Sequence, residues 1–174
     1  MERGPAGRSP GELSLRLGVL AVGRMKAGPE RELLARYQQR IAALAPQLAL
    51  APVEWREFDE SRARQTEARR ADEAKILLAA AAKGAHVVAL DERGRSPSSE
   101  AFSAEIARAR DGATPAYVFL VGGPDGLDES VRSAARSIVS FGAMTWPHQL
   151  ARVMLAEQIY RACSILARHP YHRE

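Results

Sequence analysis

The chain has 174 residues, of which 46% are hydrophobic and 26% charged, and its formal net charge is +4. Those proportions suit a folded globule with one core and exclude a chain too polar to bury one. One cysteine, Cys163, rules out an internal disulfide framework, and no apolar run nears the ~20 residues of a membrane-spanning helix.

Residues 1–12 are rich in Gly, Pro and Arg, without an apolar stretch, so they are expected to be disordered and not a secretion signal. Residues 13–174 are expected to form a single domain, free of membrane and located in the cytoplasm. The basic excess lies in residues 1–87, with 15 Lys and Arg against 11 Asp and Glu. That is compatible with a polyanionic partner without demanding one.

Residues 13–23 alternate and then run apolar through Leu17, Val19, Leu20 and Val22, predicting a buried first strand. The loop from Gly23 to Gly28 has the glycine spacing of a phosphate loop. It continues Pro29-Glu30, however, and so lacks the cation and hydroxyl that such chemistry uses. Pro29 suits a first helical turn, and the glutamates after it favour the positive end of the dipole. That helix should run to about Leu44, with Leu33, Leu34, Tyr37, Ile41 and Leu44 on one face.

A second strand is expected over residues 48–58, interrupted by Pro52. The arginines Arg62, Arg64, Arg69 and Arg70 read as a solvated loop and helix start, or as a rim that contacts phosphate. A helix over residues 66–83 should end at Gly84. Val87-Val88-Ala89-Leu90 looks buried on both faces, as strands of parallel sheets are. Residues 91–95 read as a loop, and Ser96 to Ser99 supply capping side chains for a helix that ends at Gly112. Further predictions are a strand over 116–121, a short helix capped by Asp128, a strand over 138–144 and a long helix over 147–168. The alternation predicts an α/β fold: a mainly parallel sheet with helices on both faces.

In such sheets ligands bind beyond the carboxyl ends of the strands. Three ends are candidates: Leu90-Asp91, Val121-Gly122-Gly123, and Ala143-Met144-Thr145-Trp146. The run Gly122-Gly123-Pro124-Asp125-Gly126 allows close approach of a ligand to backbone, though tight turns of this composition are common. His148 reads first as a surface residue, and otherwise as a base or ligand. His169 and His172 have poor spacing for a metal, and no metal is expected. Cys163, inside the last helix, reads as packing. The apolar face of that helix (Leu150, Val153, Met154, Ala156, Ile159, Tyr160, Ile165) is wider than one sheet requires, which suggests a dimer interface. The chain closes with His169, Tyr171, His172 and Arg173 around Pro170, ring-bearing and cationic groups suited to a nucleobase and a phosphate.

Four stretches together resemble the RlmH family, the minimal SPOUT-class methyltransferases of a pseudouridine in large-subunit ribosomal RNA. They are Leu120-Val121-Gly122-Gly123-Pro124-Asp125-Gly126, Met144-Thr145-Trp146-Pro147-His148, Ala156-Glu157-Gln158-Ile159-Tyr160-Arg161-Ala162 and His169-Pro170-Tyr171-His172-Arg173-Glu174. The resemblance spans residues 15–174. It implies a SPOUT α/β-knot, with a deep C-terminal trefoil knot, acting as a homodimer. It implies S-adenosyl-L-methionine (AdoMet) held by Leu90, Gly122, Gly123, Gly142, Ala143, Met144, Thr145, Trp146 and Pro147. The methyl would go to N3 of a pseudouridine presented on the assembled ribosome, with His169, Tyr171, His172, Arg173 and Arg161 as catalytic candidates. A non-catalytic ribosome- or RNA-binding module, or a SPOUT methyltransferase with another RNA target, are the competing readings.

Overall fold

The computed structural model describes residues 14–112 and 114–172. The expected disorder of residues 1–12 and the role expected of Arg173 lie outside the described residues. Five strands, β1 (Arg16–Val22), β2 (Glu54–Phe58), β3 (His86–Arg95), β4 (Ala116–Val121) and β5 (Ser137–Val139), form one all-parallel sheet in the order β2-β1-β4-β3-β5. Five α-helices join them: α1 (Pro29–Leu44), α2 (Thr66–Ala80), α3 (Ser99–Asp111), α4 (Glu129–Ala134) and α5 (His148–Leu166).

The central strands are apolar because both of their faces are covered. Every residue of β4 is buried. Leu17, Val19, Tyr117, Phe119 and Val121 face one core, which α1, α3 and α5 close with Ile41, Phe102, Ile106, Leu155 and Ile159. Leu20, Val22, Val118 and Leu120 face the other, closed by Ala74 and Leu77 of α2 and Val131 of α4. Truncating Leu155 or Ile159 to Ala would cost roughly 2–5 kcal/mol, since each is wholly buried in a shared core.

The helices begin where the side chains allow. Ser98 accepts from the Ala101 amide and Asp128 from that of Ser130, so each caps a free N–H of a first turn. Four expectations need correction. β2 starts at Glu54, because residues 45–48 close a 3-10 turn, Ala49 is left-handed and Pro52 donates no hydrogen bond. β3 continues through residues 91–95, where a loop was predicted. Gly94 makes this possible: a Cβ there would lie 2.6 Å from the Ile138 backbone, and Ser140 N–H donates to the Arg95 carbonyl. β5 is only three residues long, because Ser140 Oγ bonds both the N–H and the C=O of Gly142 and turns the chain out of the sheet. Leu33, expected inside, is exposed, since α1 buries Leu34 and Ile41 instead.

α5 follows the edge strand β5, yet it reaches across to β1. Its buried Arg152 donates to the carbonyls of Val22 and Gly23, the latter at 2.7 Å, and lies 3.4 Å from Glu57 on β2. The helix is thereby pinned across the carboxyl ends of the central strands, where the candidate loops emerge.

Candidate active site

Three segments converge: the second half of β3 from Leu90, and the loops at the carboxyl ends of β4 and β5. After β4, residues 122–126 fold back on themselves, with Gly126 N–H donating to the Gly123 carbonyl at 3.0 Å. A Cβ at Gly122 would lie 2.7 Å from the Gly126 backbone, and Gly126 has φ of 81°. These glycines are therefore needed by the loop's own path, before any ligand is considered. Arg69 of α2 clasps both oxygens of Asp125, at 2.6 and 3.2 Å, and Arg70 donates to the Asp125 carbonyl. These two half-buried arginines thus hold the loop.

Within β3, Asp91 pairs with Arg132 of α4 at 3.1 Å, and both side chains are largely buried. Arg132 also donates to the Leu127 carbonyl at 2.6 Å, so one guanidinium ties β3 to the chain that follows β4. After β5, residues 140–147 form the third wall. Met144 and Trp146 are exposed there at 74% and 42%.

Between the three lies a cavity of about 610 Å³, the size of a nucleoside-bearing small molecule. Leu90, Gly122, Gly123, Gly142, Met144, Thr145, Trp146 and Pro147 line it, which brings together eight of the nine residues singled out for the cofactor. Ala143 lies within the same loop but is not part of the lining. Asp91, Asp125, Arg70 and Arg132 line it as well; the first three lay in stretches the sequence marked, whereas nothing in the sequence pointed to Arg132.

His148, read first as a surface residue, also lines the cavity at the start of α5. Burial lowers its pKa, and the nearby Arg152 guanidinium lowers it further, so the ring is neutral at pH 7. Glu73 of α2 is buried behind the β4 loop. One oxygen accepts from Ser61 N–H, the other has no partner among the described residues, and burial raises the pKa.

The tail sits elsewhere, against α5, α3 and α1. The Tyr171 ring packs on Tyr160 with centroids 4.6 Å apart, and the Arg161 guanidinium lies 4.9 Å from its centre. Tyr171 Oη donates to Glu157 at 3.0 Å, and Glu157 also holds Arg161 at 2.5 Å. Burial first, and then hydrogen bonding to Tyr37 and the Glu157 carboxylate, raise the Tyr171 pKa, so the phenol keeps its proton. His172 Nε2 meets Glu100 at 2.9 Å, and the exposed His169 accepts from Tyr171 N–H through Nδ1. Thus Arg161, Tyr171 and His172 share one face with Glu157, a residue that sequence reading passed over despite its i,i+4 spacing from Arg161. None of them lines the cavity of the same chain. Among the described residues no three His, Cys, Asp or Glu side chains gather to hold a metal.

The comparisons with known proteins cover nearly the whole chain. It is 54% identical over 160 residues to a Methylocella silvestris protein named "Ribosomal RNA large subunit methyltransferase H", covering 92% of this chain and all of the relative. It is 53% identical over 159 residues to a protein of the same name from Xanthobacter autotrophicus, covering 91% of this chain and 99% of that one. The solved structure of an A. aeolicus TrmH/SpoU tRNA modifying enzyme aligns over 95% of this chain and 86% of its own at 15% identity, with a TM-score of 0.39, a likeness too slight to build on. The family profile described as "Predicted SPOUT methyltransferase" matches residues 15–172, and with that span of sequence behind it the chain belongs to the SPOUT methyltransferase family.

Proposed function

We propose that this methyltransferase uses AdoMet to methylate N3 of a pseudouridine in large-subunit ribosomal RNA, acting as a homodimer on the assembled ribosome in the cytoplasm. The observation that carries the reading is the full-length identity to proteins named for large-subunit ribosomal RNA methylation. The cavity at the three strand ends supports it. AdoMet, when bound, supplies an electrophilic methyl on a sulfonium. The residues present fit it: Gly122 and Gly123 let backbone approach, and Gly142 to Pro147 form the opposite wall. No metal takes part in this reading.

N3 of pseudouridine bears a proton and attacks poorly until that proton leaves. The chain offers two kinds of help. A histidine takes the proton, and His169, His172 and the cavity-lining neutral His148 are the candidates. Arg161 and Arg173 stabilise the imide anion or hold its phosphate. Tyr171, whose phenol stays protonated, stacks on the base or donates a hydrogen bond. Because tail and cavity stand apart within one chain, the tail of one subunit completes the cradle of its partner. The exposed Leu33 and Leu150, together with the half-buried Met154, on adjoining α1 and α5, supply an apolar face for that dimer.

The deep trefoil knot belongs to the same reading. It is supported by the course of the chain from edge strand β5 through residues 140–147 into a helix anchored at β1 by Arg152.

The test is methyl transfer to ribosomes that lack the modification, with the product nucleoside identified by mass spectrometry. 3-Methylpseudouridine is the expected product. A different methylated nucleoside would move the target, and AdoMet binding absent by calorimetry would leave only a ribosome-binding module.

A further inference from the structure

A second cavity, of about 530 Å³, opens between α1 and β2. β2 is the sheet's edge strand, and its half-buried Trp55 forms one wall. Met25 and Leu34 add apolar surface, Arg31 of α1 stands at the rim, and the buried Arg152 lies at the base.

The charge of this cleft is not balanced. Glu57 is the one carboxylate among the described residues that line it, and it already meets Arg152 at 3.4 Å and the Met25 amide at 3.1 Å. Arg31 donates one N–H to the Met25 carbonyl and has no carboxylate partner among the described residues. Arg152 is 2% exposed, and its Nε has no hydrogen-bond partner among the described residues. Arg31, exposed and without a carboxylate partner among the described residues, is the cation that favours an anion. A flat indole with apolar flanks beside it favours an aromatic plane. One chemical unit carries both, a nucleotide.

We propose that the cleft binds a nucleotide of single-stranded RNA, its base against Trp55 and its phosphate toward Arg31, at a site separate from the methyl-transfer cavity. The identity of that RNA as substrate rests on the ribosomal-RNA reading above; the chemistry of the cleft does not. A second RNA contact answers a physical need, since a small domain of net charge +4 has little grip on a polyanion.

The experiment titrates a short fluorescein-labelled oligouridine into the full-length protein and follows anisotropy at several salt concentrations. Trp55→Ala should weaken binding about tenfold, and Trp55→Phe should restore most of it, because stacking needs a ring rather than an indole. Arg31→Gln should weaken binding several-fold and reduce the salt slope by about 0.7, the value for one phosphate of a single strand. Lys75→Gln, the same charge change on exposed α2, should leave affinity within about twofold. Thermal melting and AdoMet affinity, unchanged in Arg31→Gln and Trp55→Phe, separate local loss from misfolding. The proposal is overturned if Trp55→Ala and Arg31→Gln bind like the parent, or if Lys75→Gln weakens binding as much as Arg31→Gln. It also fails if inorganic polyphosphate competes equally well whether or not Trp55 is present. Oligouridine binding needs no methyl transfer. Loss of methylation with intact cleft binding would therefore sink only the functional reading, and the reverse would sink only the cleft.

Discussion

Arg132 shows what a single side chain does at this site. It reaches Asp91 within β3 and the Leu127 carbonyl after β4, so its removal frees two walls of the cavity at once. Arg132→Ala should weaken AdoMet binding by about tenfold, as expected when a largely buried charged hydrogen bond is lost; calorimetry would measure it. The half-buried His148 and the buried Glu73 also set opposite pH dependences. His148 has a folded pKa below its ordinary 6.5, so the unfolded chain binds its proton more readily and stability falls as pH drops below 6.5. Glu73 has a folded pKa above its ordinary 4.5, so the native state holds the proton longer and stability falls as pH rises above 4.5. Urea denaturation across this range should show the acid-side loss flatten in His148→Gln and the alkaline-side loss flatten in Glu73→Gln. Unchanged pH profiles in both variants would show that neither group couples to folding. At this scale the glycines of the cavity could be read from the chain, because their residue type is unusual in its setting. Asp91, Arg132 and Glu73 could not, because a charged residue shows its role only once its partner, some 41 or 12 positions away, is brought to it.

Among the elements, the β4 loop is the most exacting. Gly122→Ala would place a methyl 2.7 Å from the Gly126 backbone, which no side-chain movement relieves. It should cost about 1–3 kcal/mol by strain and abolish AdoMet binding at micromolar protein while the far-ultraviolet spectrum stays native. The helices α1 and α3 and the strand β4 were legible nearly to the residue, since Pro29, Ser98 and the apolar run of β4 act through neighbours in sequence. β3 and β5 were not. Residues 91–95 extend β3 only because Gly94 fits against the β5 backbone, and β5 ends early because Ser140 closes a ring of hydrogen bonds with Gly142. Both causes act across strands or through a side chain whose polarity alone predicts nothing.

For the whole molecule, the separation of tail from cavity makes the assembly testable. Deleting the last six residues should abolish methylation and leave AdoMet affinity within a few-fold; equal loss of both would refute the tail's catalytic role. Mixing that truncation with Gly122→Ala should restore activity, since a heterodimer then contains one intact cradle facing one intact tail. Absence of recovery in a confirmed heterodimer would place each site within one chain. Naked ribosomal RNA transcript should be methylated far less well than ribosomes, because the domain is small and only mildly basic. By itself the sequence determined the α/β class, the parallel strands with two buried faces, and the two glycine- and proline-marked loops that follow β4 and β5. Periodicity and backbone preference are local, and they survive without knowledge of the fold. Only the tertiary structure decided that those loops share one cavity, that Arg69, Arg70 and Arg132 hold them, and that Tyr171 docks on Arg161 and Glu157 away from it. Each of those facts is an encounter between distant residues, which the order of the strands and the path of α5 across them bring about.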